Sequence, residues 1–522
     1  MKQIVAILFL CLSTLTHAED LFVTPMGSGS TNGSSWDNAL SYTQFNTSGN
    51  WGDGAGKISA GDDVYFSGGV SGEEYIGQLT FRASGSAGSR ITLKPGAAHP
   101  TLSVGHDGKV TISGLVENPA YSYIGIDGSW SGFPSVTTAD EAGNLDASDY
   151  KWKVSNPSGQ GIHFTSSHTR WVSVEISGCT SGTPSGNHAI YSNPNTGQEP
   201  VGTLVSKCLL QDNNGDGINN TRSNASSATN QVVQYCHFIG NIQDGIQAAA
   251  GMTMEFCYMD GSGTGEGEHG DGWQAASGGH ITVNGNIFRN WPQTMFIESS
   301  GPDADMSEIR VYNNRMFYDG DFGYMAGLLM SMKYTADNVV VGLTNLLVAN
   351  NTIFGLTNRS QFKIGRNQVA GTTNGTTRFR GCRVENNIFY NADPTQLPIL
   401  VEDFDISSDA DIIIRNNVVF GNTAITVDGV AYANVSALEA AWPTFTGNTE
   451  GEPIFTQTPP EAWGLSESDT VAMGNGLDLS SYFTTDATGS TRVAPWDIGA
   501  YEYLGRRATV GTVNVGTLII TP

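Results

Sequence analysis

Charge is scarce in this sequence. Only 14% of its 522 residues are Asp, Glu, Lys or Arg, and within that share 50 acidic residues face 25 basic ones. The formal charge of −25 excludes nucleic acid and anionic membrane as natural partners, since both would be repelled. It suits a protein bathed in salt, or one that binds cations. Cysteine is scarce too. Of six, Cys11 lies in the first eighteen residues, and the five that remain are an odd number that no closed disulfide framework accommodates. These thiols are expected in the core, as small apolar groups. After the N-terminus no apolar run approaches the roughly 20 residues of a membrane helix, so no membrane span is expected. Helical heptads are absent as well.

The one apolar run, Ile4 to Leu12, follows Lys2 and precedes Thr16-His17-Ala18, the pattern of a signal peptide over residues 1–18. The expectation is a soluble monomer, secreted or periplasmic. What is abundant is glycine: 65 residues, beside 39% hydrophobic ones, a balance that favours β structure over helix.

The chain repeats itself. An aliphatic residue, two variable positions and then Cys or Asn recur as Val205-Ser-Lys-Cys208, Val233-Gln-Tyr-Cys236, Met254-Glu-Phe-Cys257, Val283-Asn-Gly-Asn286, Val311-Tyr-Asn-Asn314, Val348-Ala-Asn-Asn351, Val384-Glu-Asn-Asn387 and Ile414-Arg-Asn-Asn417. By subtraction the Cys and Asn positions stand 28, 21, 29, 28, 37, 36 and 30 residues apart. A period of that size means one supersecondary unit per repeat, stacked on its neighbours. Alternation of apolar residues inside each copy makes the units strands, parallel and in register about 4.8 Å apart. The fold class is therefore all-β, a single-stranded right-handed parallel β-helix. The Asn rung is expected to sit in left-handed backbone at a sharp bend, bonding along the stack. Growth of the coil from 21 to 37 residues predicts loops of variable length leaving a fixed cross-section.

The ends carry a resemblance. Leu21-Phe-Val-Thr-Pro-Met-Gly-Ser-Gly-Ser with Ser35-Trp36, the stretch from Ile58 through Asp62-Asp-Val-Tyr-Phe66 to Pro95-Gly96, and Trp496-Asp-Ile-Gly-Ala-Tyr-Glu-Tyr503 are similar to the opening and closing sequences of the pectate-lyase-like superfamily. The resemblance implies an N-terminal cap at 19–57, a β-helix over 58–503 and a tail at 504–522, with 134–160 and 420–495 interrupting the repeat. It also implies work on an extracellular polysaccharide. Members of the superfamily include lyases, hydrolases, epimerases and non-catalytic proteins, and a fold does not choose among them.

Three hexapeptides place carboxylates on one lane: Gly215-Asp216-Gly-Ile-Asn-Asn220, Gln243-Asp244-Gly-Ile-Gln-Ala248 and Gly270-Asp271-Gly-Trp-Gln-Ala275. Asp216 and Asp244 each lie 8 residues after their repeat Cys; Asp271 lies 14 after Cys257, and an acidic insertion, 261–270, absorbs the difference. Like charges stacked on adjacent coils need a cation or a shared proton. Ca²⁺, with its flexible oxygen coordination, is the expected cofactor, held by Asp216, Asp244 and Asp271 with Glu268 and Glu298. A lyase acting on a uronate then needs a base for the C5 proton. Lys363, Arg366, Lys333 and His269 are the candidates, with Lys363 and Glu298 each 12 residues after a repeat Asn and so expected at one edge. Trp273, Gln247, Gln274 and Tyr334 are the expected sugar contacts.

Two other readings stand beside this. Paired carboxylates such as Asp244 and Asp271 would serve an inverting glycoside hydrolase. Aromatics such as Trp273, Trp291, Tyr324 and Tyr334 would serve a non-catalytic glycan-binding protein.

Overall fold

The computed structural model describes residues 18–503 and Gly505, apart from 182–185, 193–200, 221–229, 249, 262–269, 276–277, 300–304, 319–327, 335–339, 356–361, 369–375, 392–398, 403–411, 422–424, 428–429 and 458–462. Residues 1–17 of the expected signal peptide at 1–18, and residues 504 and 506–522 of the expected tail, lie outside this set. Among the described residues no helix is long and apolar enough to cross a membrane.

Strands fall into three long sheets of 15, 13 and 13 members, and neighbours in each sheet come from successive turns of the chain. One turn runs through Leu204–Ser206 in the first sheet, Leu209–Gln211 in the second and Ile218–Asn219 in the third. The chain then re-enters the first sheet at Gln231–Gln234, with Val233 in register with Val205. Pairing within the sheets is parallel up to the last hairpin, 425–427 with 430–432. This is the parallel β-helix read from the repeat, and crossovers between parallel strands take the right-handed sense. Alternating burial, as in Met252–Glu255, sends every second side chain inward, where it stacks on its equivalents in the coils above and below.

The bend between the first and second sheets explains the Cys/Asn rung. Lys207, Tyr235, Phe256, Gly285, Asn313, Asn350, Asn386, Asn416 and Gly447 hold the left-handed conformation there, with φ between 51 and 66°. The left-handed residue is thus the one before the repeated Cys or Asn, not that residue itself as the sequence suggested. The bend turns the next side chain inward. Asn286, Asn314, Asn351 and Asn387 each donate their backbone N–H to the side-chain oxygen of the Asn one coil further on, at 2.9–3.0 Å, and Asn417 does the same to Asn448 at 3.1 Å. Each amide nitrogen also donates to a carbonyl one coil back, as Asn351 does to Val311. Toward the N-terminus sulfur takes over: Cys208 N–H points at Cys236 Sγ and Cys236 N–H at Cys257 Sγ, both at 3.4 Å. The five described thiols are free and buried. Burial pushes Cys179 up to about 12 and holds Cys208 and Cys236 well above the usual thiol range, so they are inert core groups.

Part of the coil growth is sheet rather than loop. The third-sheet strands Gln293–Ser299, Leu328–Tyr334 and Phe362–Gln368 are seven residues long, and a fourth sheet of three strands, 305–307, 340–344 and 376–380, forms beside them.

At the N-terminal end Asp20–Thr24 already pairs in register with Asp63–Phe66, so the first sheet begins inside the expected cap. The helix Tyr42–Phe45, fixed by the Ser41/Gln44 capping box, buries Phe45 on Phe66 and Trp51. At the other end the coils stop at Phe445–Thr446 and Thr449–Glu450, earlier than the expected limit near 503. The described residues of 451–503 lie along the outside of the coils as a strap. The left-handed asparagines hold it: Asn416 donates to Asn475 O, Asn386 to Leu477 O, Asn350 to Asp497 O and Gly499 O, and Asn313 to Thr485 O. Arg492, fully buried, donates to Asn313 Oδ1 and to the Gly499 and Ala500 carbonyls.

Replacing Asn351 with Ala leaves the Asn314 N–H without its acceptor and takes the Asn351 amide away from the Val311 carbonyl. A loss of about 2–4 kcal/mol is expected, read as a lower guanidinium midpoint. The Asn350→Ala protein is expected to keep its coils and to be cut faster by protease within 451–503.

Candidate active site on the third sheet

The register Ile190, Ile218, Ile246, Trp273 along the third sheet carries, two residues earlier, His188, Asp216, Asp244 and Asp271. His188, Asp216 and Asp244 each accept the backbone N–H of the column residue one coil on. Asp216 N–H donates to His188 Nδ1 at 3.1 Å, Asp244 N–H to Asp216 Oδ1 at 3.1 Å, and Asp271 N–H to Asp244 Oδ1 at 2.9 Å. The second carboxylate oxygen is held from three residues on, by Asn219 Nδ2 for Asp216 at 2.6 Å and by Gln247 Nε2 for Asp244 at 2.8 Å. That is why the Asp-Gly-x-Asn/Gln spacing recurs. The glycine is required because a Cβ at Gly217 would stand 2.6 Å from the Phe238 ring and one at Gly245 2.4 Å from Gly272 O. The 262–269 insertion lies outside the described residues, and the register is intact on its far side.

All three carboxylates are buried, with relative exposures of 0%, 5% and 1% in chain order. Burial first, and the Asp216 charge second, push the Asp244 carboxyl up to about 7; the Asp271 N–H and Gln247 oppose the shift. Near neutrality the stack therefore holds a proton. His188 Nδ1 also stands 3.2 Å from Asp216 Oδ2. The backbone N–H has a fixed direction and needs a lone pair on Nδ1, so the imidazole is assigned as neutral with its proton on Nε2.

Three residues after this column lies a second, outward lane. In register it holds Glu117, His163, Tyr191, Asn219, Gln247, Gln274, Phe296, Leu329 and Lys363. Tyr191 stacks between His163 and His188, with ring centroids 5.4 and 5.3 Å away. Burial lowers the His163 imidazole below its ordinary value, against the pull of Glu117.

The expected site residues are distributed as follows. Asp216, Asp244 and Asp271 form the column, and Gln247, Gln274 and Lys363 share the outward lane, half-buried. Trp273 does not: it is fully buried between Ile246 and Met295, because the inward parity of its strand position sends the ring into the core, and it touches no sugar. Trp291 is likewise buried. Glu298 is in register with Ser331, Gly365 and Glu402, two residues along the strand from the position that matches Lys363. Arg366 pairs with Met332, Lys333 with Asn367 and Tyr334 with Gln368; the side chains of these residues and of Glu298 lie outside the description. Glu268, His269 and Tyr324 lie outside the described residues altogether. Among the described residues no three His, Cys, Asp or Glu side chains form a ready-made ion cage.

His188, His163 and Tyr191 were missed. His188 stands 28 residues before Asp216, the same step that separates Asp216 from Asp244. Extending that period one coil back finds it, although the residue changes from Asp to His.

Three long parallel sheets joined at corners of stacked Asn and Cys make the chain a parallel β-helix protein. No protein-family model matches the chain, and no curated protein does. Among solved structures it is similar to pectate lyase Pel9A, with TM-score 0.43 and 14% identity over 93% of this chain and 96% of that one. It is similar also to the GH136 lacto-N-biosidase from Eubacterium ramulus, with TM-score 0.39 and 11% identity over 77% and 67%. A PL6 family polysaccharide lyase from Pseudopedobacter saltans gives TM-score 0.30 and 13% identity over 81% and 95%. None of these similarities assigns a residue or a reaction to this chain.

A carboxyl raised on folding stabilises the protein fully in acid, and that contribution is lost as pH rises from the ordinary carboxylate range through about 7. The protein is therefore expected to be less stable at pH 8 than at pH 5 by this group's contribution. Asp244→Asn should remove that part of the difference, measured by denaturant midpoints at the two pH values.

Proposed function

We propose that this chain is an extracellular carbohydrate-active enzyme that cleaves a uronate-containing polysaccharide by Ca²⁺-assisted β-elimination on the outer face of the third sheet. One observation carries the reading: the column is built from carboxylates where amides would do. Asn286 through Asn448 make the same coil-to-coil bonds without charge, so stacked Asp216, Asp244 and Asp271 are more than folding needs. Such a stack calls for a proton or a cation.

The donor chemistry suits Ca²⁺, which prefers carboxylate and amide oxygens. Asp216, Asp244 and Asp271 would hold it, with Glu268, once the Asn219 and Gln247 amides rotate off the outer carboxylate oxygens; Glu298, five residues along its strand from the position that matches Asp271, is about 16 Å away and does not join them. The ion, when bound, offsets the charge of the substrate carboxylate and of the carbanion beside it. The chain supplies the rest. Gln247 and Gln274 offer amides to sugar hydroxyls along the outward lane, and the C5 base is drawn from Lys363, Arg366, Lys333 and His269; Lys363, on the same lane, stands three coils or about 14 Å beyond Gln274 and so serves a uronate bound at that end of the lane.

A second reading has its own support. A carboxyl near 7 is protonated at the pH where a general acid works, so Asp244 as acid and Asp271 as base would make an inverting hydrolase. The glycan-binding reading is weakened by the burial of Trp273 and Trp291.

The test is the ultraviolet absorbance of unsaturated uronate ends during incubation with pectate, alginate and glycosaminoglycans, with Ca²⁺ and with chelator. A rise abolished by chelator and by Asp244→Asn, and cut about 10²–10⁴-fold by Lys363→Ala, is expected. New reducing ends without that absorbance would replace elimination by hydrolysis; neither signal would sink both. Because Asp244 must lose its proton to bind a cation, calorimetric Ca²⁺ affinity is expected to weaken below about pH 7.

A further inference from the structure

The outer face of the second sheet carries a lane whose chemistry changes halfway along the molecule. In register it reads Ser177, Gln211, Ile239, Asp260 and Arg289, a mainly polar series, and then Phe317, Phe354, Tyr390 and Phe420. The first of these rings is covered by the strap, through Trp463 at 5.4 Å. The next three stay partly exposed; Phe354 and Tyr390 stack at 4.5 Å between centroids, and Phe420 lies tilted against Tyr390 at 4.7 Å. Here the strap passes alongside instead of over them. Phe455 meets Phe354 and Tyr390 edge-on at 6.5 and 6.1 Å, and Glu452 accepts the Tyr390 hydroxyl at 2.9 Å. Between strap and sheet lies an open cleft of about 470 Å³, with Thr456 and Gln457 on its rim.

We infer that this cleft is a second carbohydrate site, separate from the cleavage lane on the third sheet and built for a neutral pyranoside stretch of a polysaccharide. Solvated sheet faces carry polar side chains, and an aromatic row left open beside hydrogen-bonding groups matches a ligand with apolar C–H faces and a rim of hydroxyls. Glu452 is the ionisable acid on the cleft wall. It accepts hydroxyl protons and repels uronates, so the preferred segment is uncharged. The ligand would anchor the enzyme on its polymer while the third sheet works elsewhere on the chain. The inference does not depend on the cleavage chemistry proposed above.

Affinity gel electrophoresis of the full-length protein tests it, with soluble xylan, mixed-linkage glucan or galactomannan cast in the gel and polygalacturonate as the charged control. Retardation by at least one neutral polymer is expected. Phe455→Ala and Glu452→Ala should each weaken it roughly fivefold to tenfold, while the Gln247→Ala protein keeps it. The two cleft variants should keep the far-ultraviolet circular dichroism and the guanidinium midpoint of the parent, which shows that they fold. Migration unaffected by every neutral polymer overturns the inference, as does retardation that both cleft variants retain. Failure of elimination activity with retardation intact would sink only the cleavage reading.

Discussion

Everything in this molecule rests on one constraint: each coil must offer its polar backbone groups to the next coil at the same height, including at the corners where strands end. Strand ladders meet that requirement along the flat sides. At the bends the chain leaves the sheet, and a buried N–H with no acceptor there would cost as much as a lost core contact. The solution is a side chain turned inward as a substitute acceptor, amide, thiol or carboxylate, one per coil. The left-handed residue before the Cys/Asn corner exists to aim it.

The corners use this device with different chemistry, and in opposite directions. At the Asn rung the N–H of one coil reaches forward to the side chain of the next; at the acid column the N–H of the later coil reaches back to the earlier Asp. The first is neutral and self-sufficient, since the amide also donates to a carbonyl. The second leaves negative charge under cover. A fold that can close its corners with Asn and nevertheless uses Asp over three consecutive coils has spent stability on a charged lane, and that lane lies under a polar strip of His, Tyr, Asn and Gln.

Much of this was legible in the sequence, because a solenoid writes its geometry as a period. The repeat from Cys208 to Asn417 fixed coil, sheet and register, and the equal offsets of Asp216 and Asp244 predicted their stacking. What escaped has physical causes. The left-handed position was assigned one residue late because pattern alone cannot say which of two adjacent asparagines bends and which points inward. Trp273 looked like a sugar platform until strand parity sent it to the core. His188 was hidden by the change of residue type within its column. The sequence showed that 420–495 interrupts the repeat but not where the interruption lies; only the bonds to Asn313, Asn350, Asn386 and Asn416 show that the chain there lies along the coils already formed.

That strap alters what kind of object the protein is. A solenoid is normally a one-dimensional stack in which each unit knows only its neighbours and ends can fray independently. Here Arg492 binds Asn313 across 179 residues of sequence, and Asn350 binds Gly499 across 149. The second half of the stack is thereby tied lengthwise, like a bundle of rods bound by a cord laid along its side. Contacts of such long sequence separation slow completion of folding. They also make fraying of the C-terminal coils a joint event, so that half of the molecule resists opening as a single unit.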